Sequence, residues 1–182
     1  ALQLVAKEIF RMSDQVRDIL EKTIELVKNE EVKSIDGLKE NGEQVERLGK
    51  CITEYLAALF SSGSLTEQQA AQTASLMCVL SDVERMGTLS VEMAECMLER
   101  SDRKYKYTPE AMDELQKSLK VLNKMFCDSL KALQGDDGIE PGKMMKRKDK
   151  LLDLDIKMRK AHIERVNKGK CKASLTAPFT NI

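Results

Sequence analysis

SDVERMGTLSVEMAECM, residues 81–97, has the periodicity of a helix and two residues that do not suit its buried seam. Steps of three and four from Thr73 give Met77, Leu80, Glu84, Gly87, Val91, Ala94 and Leu98. That spacing places side chains on one helix face. A carboxylate and a glycine therefore stand where leucines would be buried.

The same stepping continues on both sides. Leu2, Val5, Ile9, Met12, Val16, Ile19, Thr23 and Leu26 form the stripe of a first helix, of the kind that packs against long neighbours at shallow angles. After NEEVKS, Ser34 is the expected N-cap of a second helix with Val45, Leu48, Ile52, Tyr55 and Leu59 on its seam. Gly42 and Gly49 weaken that helix locally, each by about 1 kcal/mol relative to alanine. SSGSLTEQ breaks the chain again, and Ser64 with Glu67 has the spacing of a capping box for the third helix, which runs to about Arg100.

SDRKYKYTP is a polar linker, with Thr108-Pro109 as N-cap and first residue of helix four. Met112, Leu115, Leu119, Leu122, Phe126 and Leu133 mark its apolar face. GDDGIEPG is a turn. Helix five follows, with Met145, Asp149, Leu152, Ile156, Arg159, Ile163 and Val166 in step, and ends at Asn167 to Gly169. The final residues, CKASLTAPFTNI, stop without another helix. Each helix has one apolar stripe that needs partners, so the expected fold is an all-α bundle. The division is a three-helix unit over 1–100 and a second over 101–182 holding two helices and the start of a third.

Composition agrees with helices. Charged residues make up 33%, aromatics only 4%, and three prolines leave few breaks. Ten methionines suit irregular helix interfaces or an adaptable binding surface. Five scattered cysteines, with no CxxC pair, read as reduced, partly buried thiols and not as a disulfide framework or zinc site. No run of about 18 apolar residues is present, so no membrane span is expected. Ala1 already lies in a helical pattern, as in a piece of a longer chain or after removal of an initiator Met.

The net charge of zero hides an asymmetry. From Lys143 to Lys172 there are 12 Lys and Arg against 4 Asp and Glu, so the remainder is acidic. The densest run is MMKRKDK, Met144 to Lys150, whose basic patch is Lys146, Arg147, Lys148 and Lys150. A segregated basic segment suits phosphate groups, acidic lipid headgroups or the acidic part of its own fold, and the run itself suits an anionic membrane surface, an acidic partner or plain solvation. Nucleic acid is not expected, because no aromatics are interleaved for stacking and no reading motif occurs.

Two stretches resemble a known family. DVERMGTLSVEMAE, Asp82 to Glu95, is similar to the third-helix signature of PhoU-like domains through Glu84, Arg85, Gly87, Ala94 and Glu95. RKAHIERVNKGKC, Arg159 to Cys171, resembles the fifth-helix ending in the cytosolic PhoU-like tail of bacterial sodium/phosphate cotransporter-family proteins. The resemblance implies two repeated three-helix bundles, the second incomplete here, and a regulatory role in phosphate transport on the cytoplasmic side of the bacterial inner membrane. It offers as partners the membrane portion of a parent transporter or another copy of the chain, as in a homodimer. A stand-alone metal-binding regulator of phosphate signalling, or a generic helical oligomerisation module, are the alternatives.

The family also holds divalent or ferric metal on acidic pairs four residues apart, where two carboxylates share one helix face. Glu84 lacks its second acid, since Thr88 takes that place, and helix two offers Gly42 and Glu46. Only Asp149 and Asp153 remain as a complete pair. No cofactor is expected from the residues themselves.

Glu84 and Arg85 need compensation in a packed helix. They form either a ligand or switch site, or an ion pair in which Arg85 or Arg159 supplies the cation while Gly87 lets helices approach. His162 is the single histidine, and its neighbour one turn earlier is Arg159, so the Glu-x-x-His pattern of di-iron bundles is missing. A packing or hydrogen-bonding role is expected for it. Without GxxxxGK[ST], GxGxxG or GxSxG, the chain is not expected to be an enzyme.

Overall fold

The computed structural model describes residues 1–29, 31–104, 106–135, 138 and 140–176. Among them are five α-helices and no strand: α1 (Leu2–Lys28), α2 (Asp36–Ser61), α3 (Glu67–Asp102), α4 (Pro109–Leu133) and α5 (Pro141–Asn167), with a 3-10 turn at Ala173–Leu175. The fold is the all-helical one expected. No helix among the described residues is long and apolar enough to cross a membrane. Parts of the GDDGIEPG turn (Asp136, Asp137, Ile139) and the end of the C-terminal stub (177–182) lie outside the described residues.

Helix ends follow local chemistry. At α4, Thr108 accepts from the Ala111 N–H at 3.2 Å and Pro109 opens the helix. At α3 the reciprocal box is Thr66 with Gln69, not Ser64 with Glu67. Thr66 N–H donates to Gln69 Oε1 at 3.0 Å, and Gln69 N–H to Thr66 Oγ1 at 3.3 Å. Ser64 instead shares a 2.7 Å hydrogen bond with Ser62. Ser34 stands two residues before the start of α2.

The α5 terminus is a Schellman motif. Gly169 takes a left-handed φ of +68°. Its N–H donates to the Val166 carbonyl at 3.0 Å, and the Lys170 N–H reaches the Arg165 carbonyl at 2.8 Å. A side chain at Gly169 would strain that backbone, which accounts for the NKGKC ending.

The chain packs as two compact units: Ala1–Leu20 with Asp36–Glu92, and Glu21–Ile35 with Met93–Ile182. In the first, Val5, Ile9, Met12, Val16 and Ile19 of α1 are buried as their spacing requires. On α2 Val45 and Ile52 are buried as expected, but Gly49 and Leu56 are buried in place of Leu48 and Tyr55, the latter 50% exposed. In α3 the buried line runs through Leu80, Val83, Gly87 and Ser90, so Glu84 and Val91 stand at its flank and not at its centre. A three–four alternation admits either register, and packing selects this one.

In the second unit, Leu115, Leu119, Phe126 and Leu130 of α4 are buried. On α5 the expected stripe faces outward: Met145, Leu152, Ile156 and Ile163 are all more than half exposed. The helix packs through Met158 and His162, its only buried residues. At the head of this unit Arg100, buried, donates to the Asn29 carbonyl and lies 5.3 Å from the centre of the Tyr107 ring. Burial, opposed by Arg100, pushes the Tyr107 phenol up to about 12. Cys51 and Cys78 are exposed and Cys96, Cys127 and Cys171 half-buried, so only part of the thiol set has the burial expected of it.

Candidate functional site

The Glu84 locus is built by glycines on two helices. A methyl group at Gly49 of α2 would stand 1.8 Å from Glu84 Oε1 and 2.6 Å from its Cδ. The carboxylate of α3 therefore occupies the place of a missing α2 side chain. Seven residues earlier on α2, a Cβ at Gly42 would lie 2.9 Å from Val91 Cγ2. Gly87 closes the junction from the α3 side: a Cβ there would meet Val16 of α1 at 3.3 Å and Val45 of α2 at 3.5 Å. Gly42 and Gly49, weak points of α2 by helix propensity alone, are thus seats for α3. Their spacing of seven, matched by the seven between Glu84 and Val91, is the signal that could have revealed them.

Glu84 is half-buried. Burial, then repulsion from Glu46, raises its carboxyl above the ordinary value. Neither of the cations expected to pair with it is seen to do so among the described residues. Arg85 is exposed, and Arg159 pairs with Asp155 one turn earlier on its own helix, Nε to Oδ1 at 2.8 Å. Within its unit Glu84 has no ion pair among the described residues. The glycine seat, not a cation, accommodates it.

The sign of the pH effect follows. A raised carboxyl gives stability that is complete below its unfolded value of 4.5 and is lost as pH rises through the folded value. At pH 7 the charge is a cost, so Glu84→Gln is expected to raise Tm by a few degrees. That gain should shrink on acidification below 4.5, where Glu84 is itself neutral. A fall in Tm at pH 7 would instead reveal a favourable partner for the carboxylate.

No group of three or more His, Cys, Asp or Glu among the described residues gathers closely enough to hold an ion. Thr88 turns its hydroxyl back to the Glu84 carbonyl at 3.2 Å. Asp153 is tied to Lys157 at 2.7 Å, and Asp149 is exposed.

The second constellation joins α4 and α5 within their unit. Arg165 grips Glu114 bidentately, Nη1 to Oε1 at 3.0 Å and Nη2 to Oε2 at 2.9 Å. His162, 1% exposed, shares a 3.2 Å hydrogen bond between Nε2 and Thr176 Oγ1. It thereby anchors the chain that follows α5, where Leu175 is also buried. Burial first, and Arg165 second, hold the imidazole below its ordinary value. Of the basic run, Arg147 turns inward to Asp128, which also receives Lys124 at 3.3 Å, while Lys146, Lys148 and Lys150 are exposed. Burial alone would raise the Asp128 carboxyl, but hydrogen bonds from Arg147 and Lys124 hold it below the ordinary value.

Residues 9–97 match the PhoU domain family, and the all-helical fold is consistent with a PhoU-like helical bundle. That match includes Gly42, Gly49, Glu84 and Gly87. Across 175 residues the chain is 24% identical to the phosphate-specific transport system accessory protein PhoU homolog 1 of Thermotoga maritima, covering 96% of this chain and 73% of that relative. No solved structure matches the chain significantly.

Proposed function

We propose that the chain is a non-catalytic accessory regulator of phosphate uptake, working at the cytoplasmic face of a bacterial inner membrane through contacts between helix faces. One observation carries this reading: nearly the whole chain aligns with a relative described as an accessory protein of phosphate-specific transport. The same observation favours a stand-alone regulator over the tail of a sodium/phosphate cotransporter. The Arg159–Cys171 ending is the feature that favours the tail. On either reading α1–α3 form one repeat and α4 with α5 begin a second. The outward stripe Met145, Leu152, Ile156 and Ile163 is the face offered to the transporter's membrane portion or to a second copy. Neither nucleic acid nor a resident metal has a part in it.

The test is deletion of the gene in its own bacterium, followed by uptake of radiolabelled phosphate in phosphate-rich medium. Uptake should rise and return to its former rate when the gene is restored; an unchanged rate would remove the proposal. Apolar spans of about 20 residues upstream in the same reading frame would move the assignment to the tail. Elemental analysis of protein purified without chelator should find metal well below one ion per chain. Stoichiometric metal would instead select the metal-binding regulator.

A further inference from the structure

Between α4 and α5 lies a cavity of about 450 Å³ whose walls are basic. Lys117, Lys120 and Lys124 line it from α4, and Arg147 and Lys150 from α5. Spacings of three and four on each helix set these cations on facing sides. Val121 and Leu154 supply apolar lining between them, and no acidic residue lines the cavity.

Part of this charge is neutralised from outside the cavity. Asp113 accepts Lys117 at 2.6 Å, and Asp128 accepts both Lys124 and Arg147. Lys120 and Lys150 form no ion pair among the described residues. Five cations set against two carboxylates leave the groove strongly positive, and its volume lies in the range of small-ligand sites.

We infer that this groove binds a soluble, phosphate-bearing small molecule with an apolar body, of the nucleotide class. The phosphates meet Lys120 and Lys150, and the apolar body rests on Val121 and Leu154. A recessed apolar lining rewards a ligand that can enter between the helices, whereas a flat bilayer would reach only the exposed ammonium groups. Asp128 acts as a positioning residue, because it aims Arg147 and Lys124 along the groove wall. The inference stands apart from the phosphate-uptake proposal, and either can fail alone.

The experiment is isothermal titration of the full chain with ATP, inorganic phosphate and adenosine at physiological ionic strength. ATP should bind one per chain, more tightly than inorganic phosphate, and adenosine should not bind. The Lys120→Gln/Lys150→Gln double variant should weaken ATP at least about tenfold, the scale of losing charge-assisted hydrogen bonds. Both lysines are exposed, so an unchanged melting curve will verify the fold. Lys146→Gln/Lys148→Gln removes the same charge outside the groove and should leave affinity nearly intact. Equal weakening in both double variants would reduce the effect to diffuse attraction and overturn the inference. Absence of saturable ATP binding up to about 5 mM would do the same. So would binding of phosphatidylglycerol vesicles through Lys120 and Lys150 without ATP binding, which would assign the cations to a lipid headgroup.

Discussion

Gly87→Leu is expected to destabilise the chain by about 3 kcal/mol, the upper end for overpacking a filled helix junction. At this chain length that lowers Tm by roughly 10 °C. The reason is local. Val16 and Val45 already stand 3.3 and 3.5 Å from where a Cβ would be, and neither β-branched side chain can swing away. Gly87→Ala is the matched control. It gains about 1 kcal/mol of helix propensity and loses a comparable amount to the tight contacts, so it should melt near the wild type. Thermal denaturation followed by circular dichroism reads both. A leucine variant as stable as the parent would mean that α1 and α2 do not close on α3 at this point.

Arg165→Met should cost about 3 kcal/mol, because it retains the aliphatic stem and strips a partly buried carboxylate of both its bonds. Glu114 is 30% exposed and Arg165 11%, which sets the loss at the lower end for a broken buried pair. Arg165→Lys should restore little of it, since an ammonium cannot reproduce the two-pronged grip. Adding Glu114→Gln to Arg165→Met should recover part of the stability by removing the stranded charge. The pair also governs His162. In the parent, the depressed imidazole contributes stability that is complete above its unfolded value of 6.5 and is lost as pH falls below it. Removing the Arg165 charge lifts one cause of that depression while Glu114 remains. His162 should therefore titrate higher, and the acid-side loss attributable to it should be smaller. An NMR titration of the single imidazole checks this; an unmoved value would separate His162 from the ion pair.

What the sequence disclosed depended on how many partners an element has. The α1 stripe from Val5 to Ile19 reads correctly because aliphatic residues crowd one face and leave no rival register. On α2 and α3 two neighbouring lines are both partly apolar, and the choice rests on glycines whose meaning is invisible without the facing helix. Gly49 looks like a flaw until Glu84 is set against it. On α5 the apolar residues were found, but burial goes to Met158 and His162, since α4 offers charged partners to the opposite face. Pairings over long separations, such as Arg165 with Glu114 or Arg147 with Asp128, leave no trace in local spacing. The end of α5 was legible because Gly169 answers to backbone geometry alone.

The paired seats on α2 give unit one a mechanical character. Gly42 opposite Val91 and Gly49 opposite Glu84 define an antiparallel register with two detents one heptad apart. Sliding α2 along α3 by less than a heptad drives residues bearing Cβ atoms onto Val91 and Glu84. A full heptad, roughly 10 Å of travel, brings Gly42 level with Glu84 and leaves Met77 to fill the other notch. Any signal crossing these two helices must therefore carry them together as one body or pry them apart, because a smooth glide between them has no intermediate resting place.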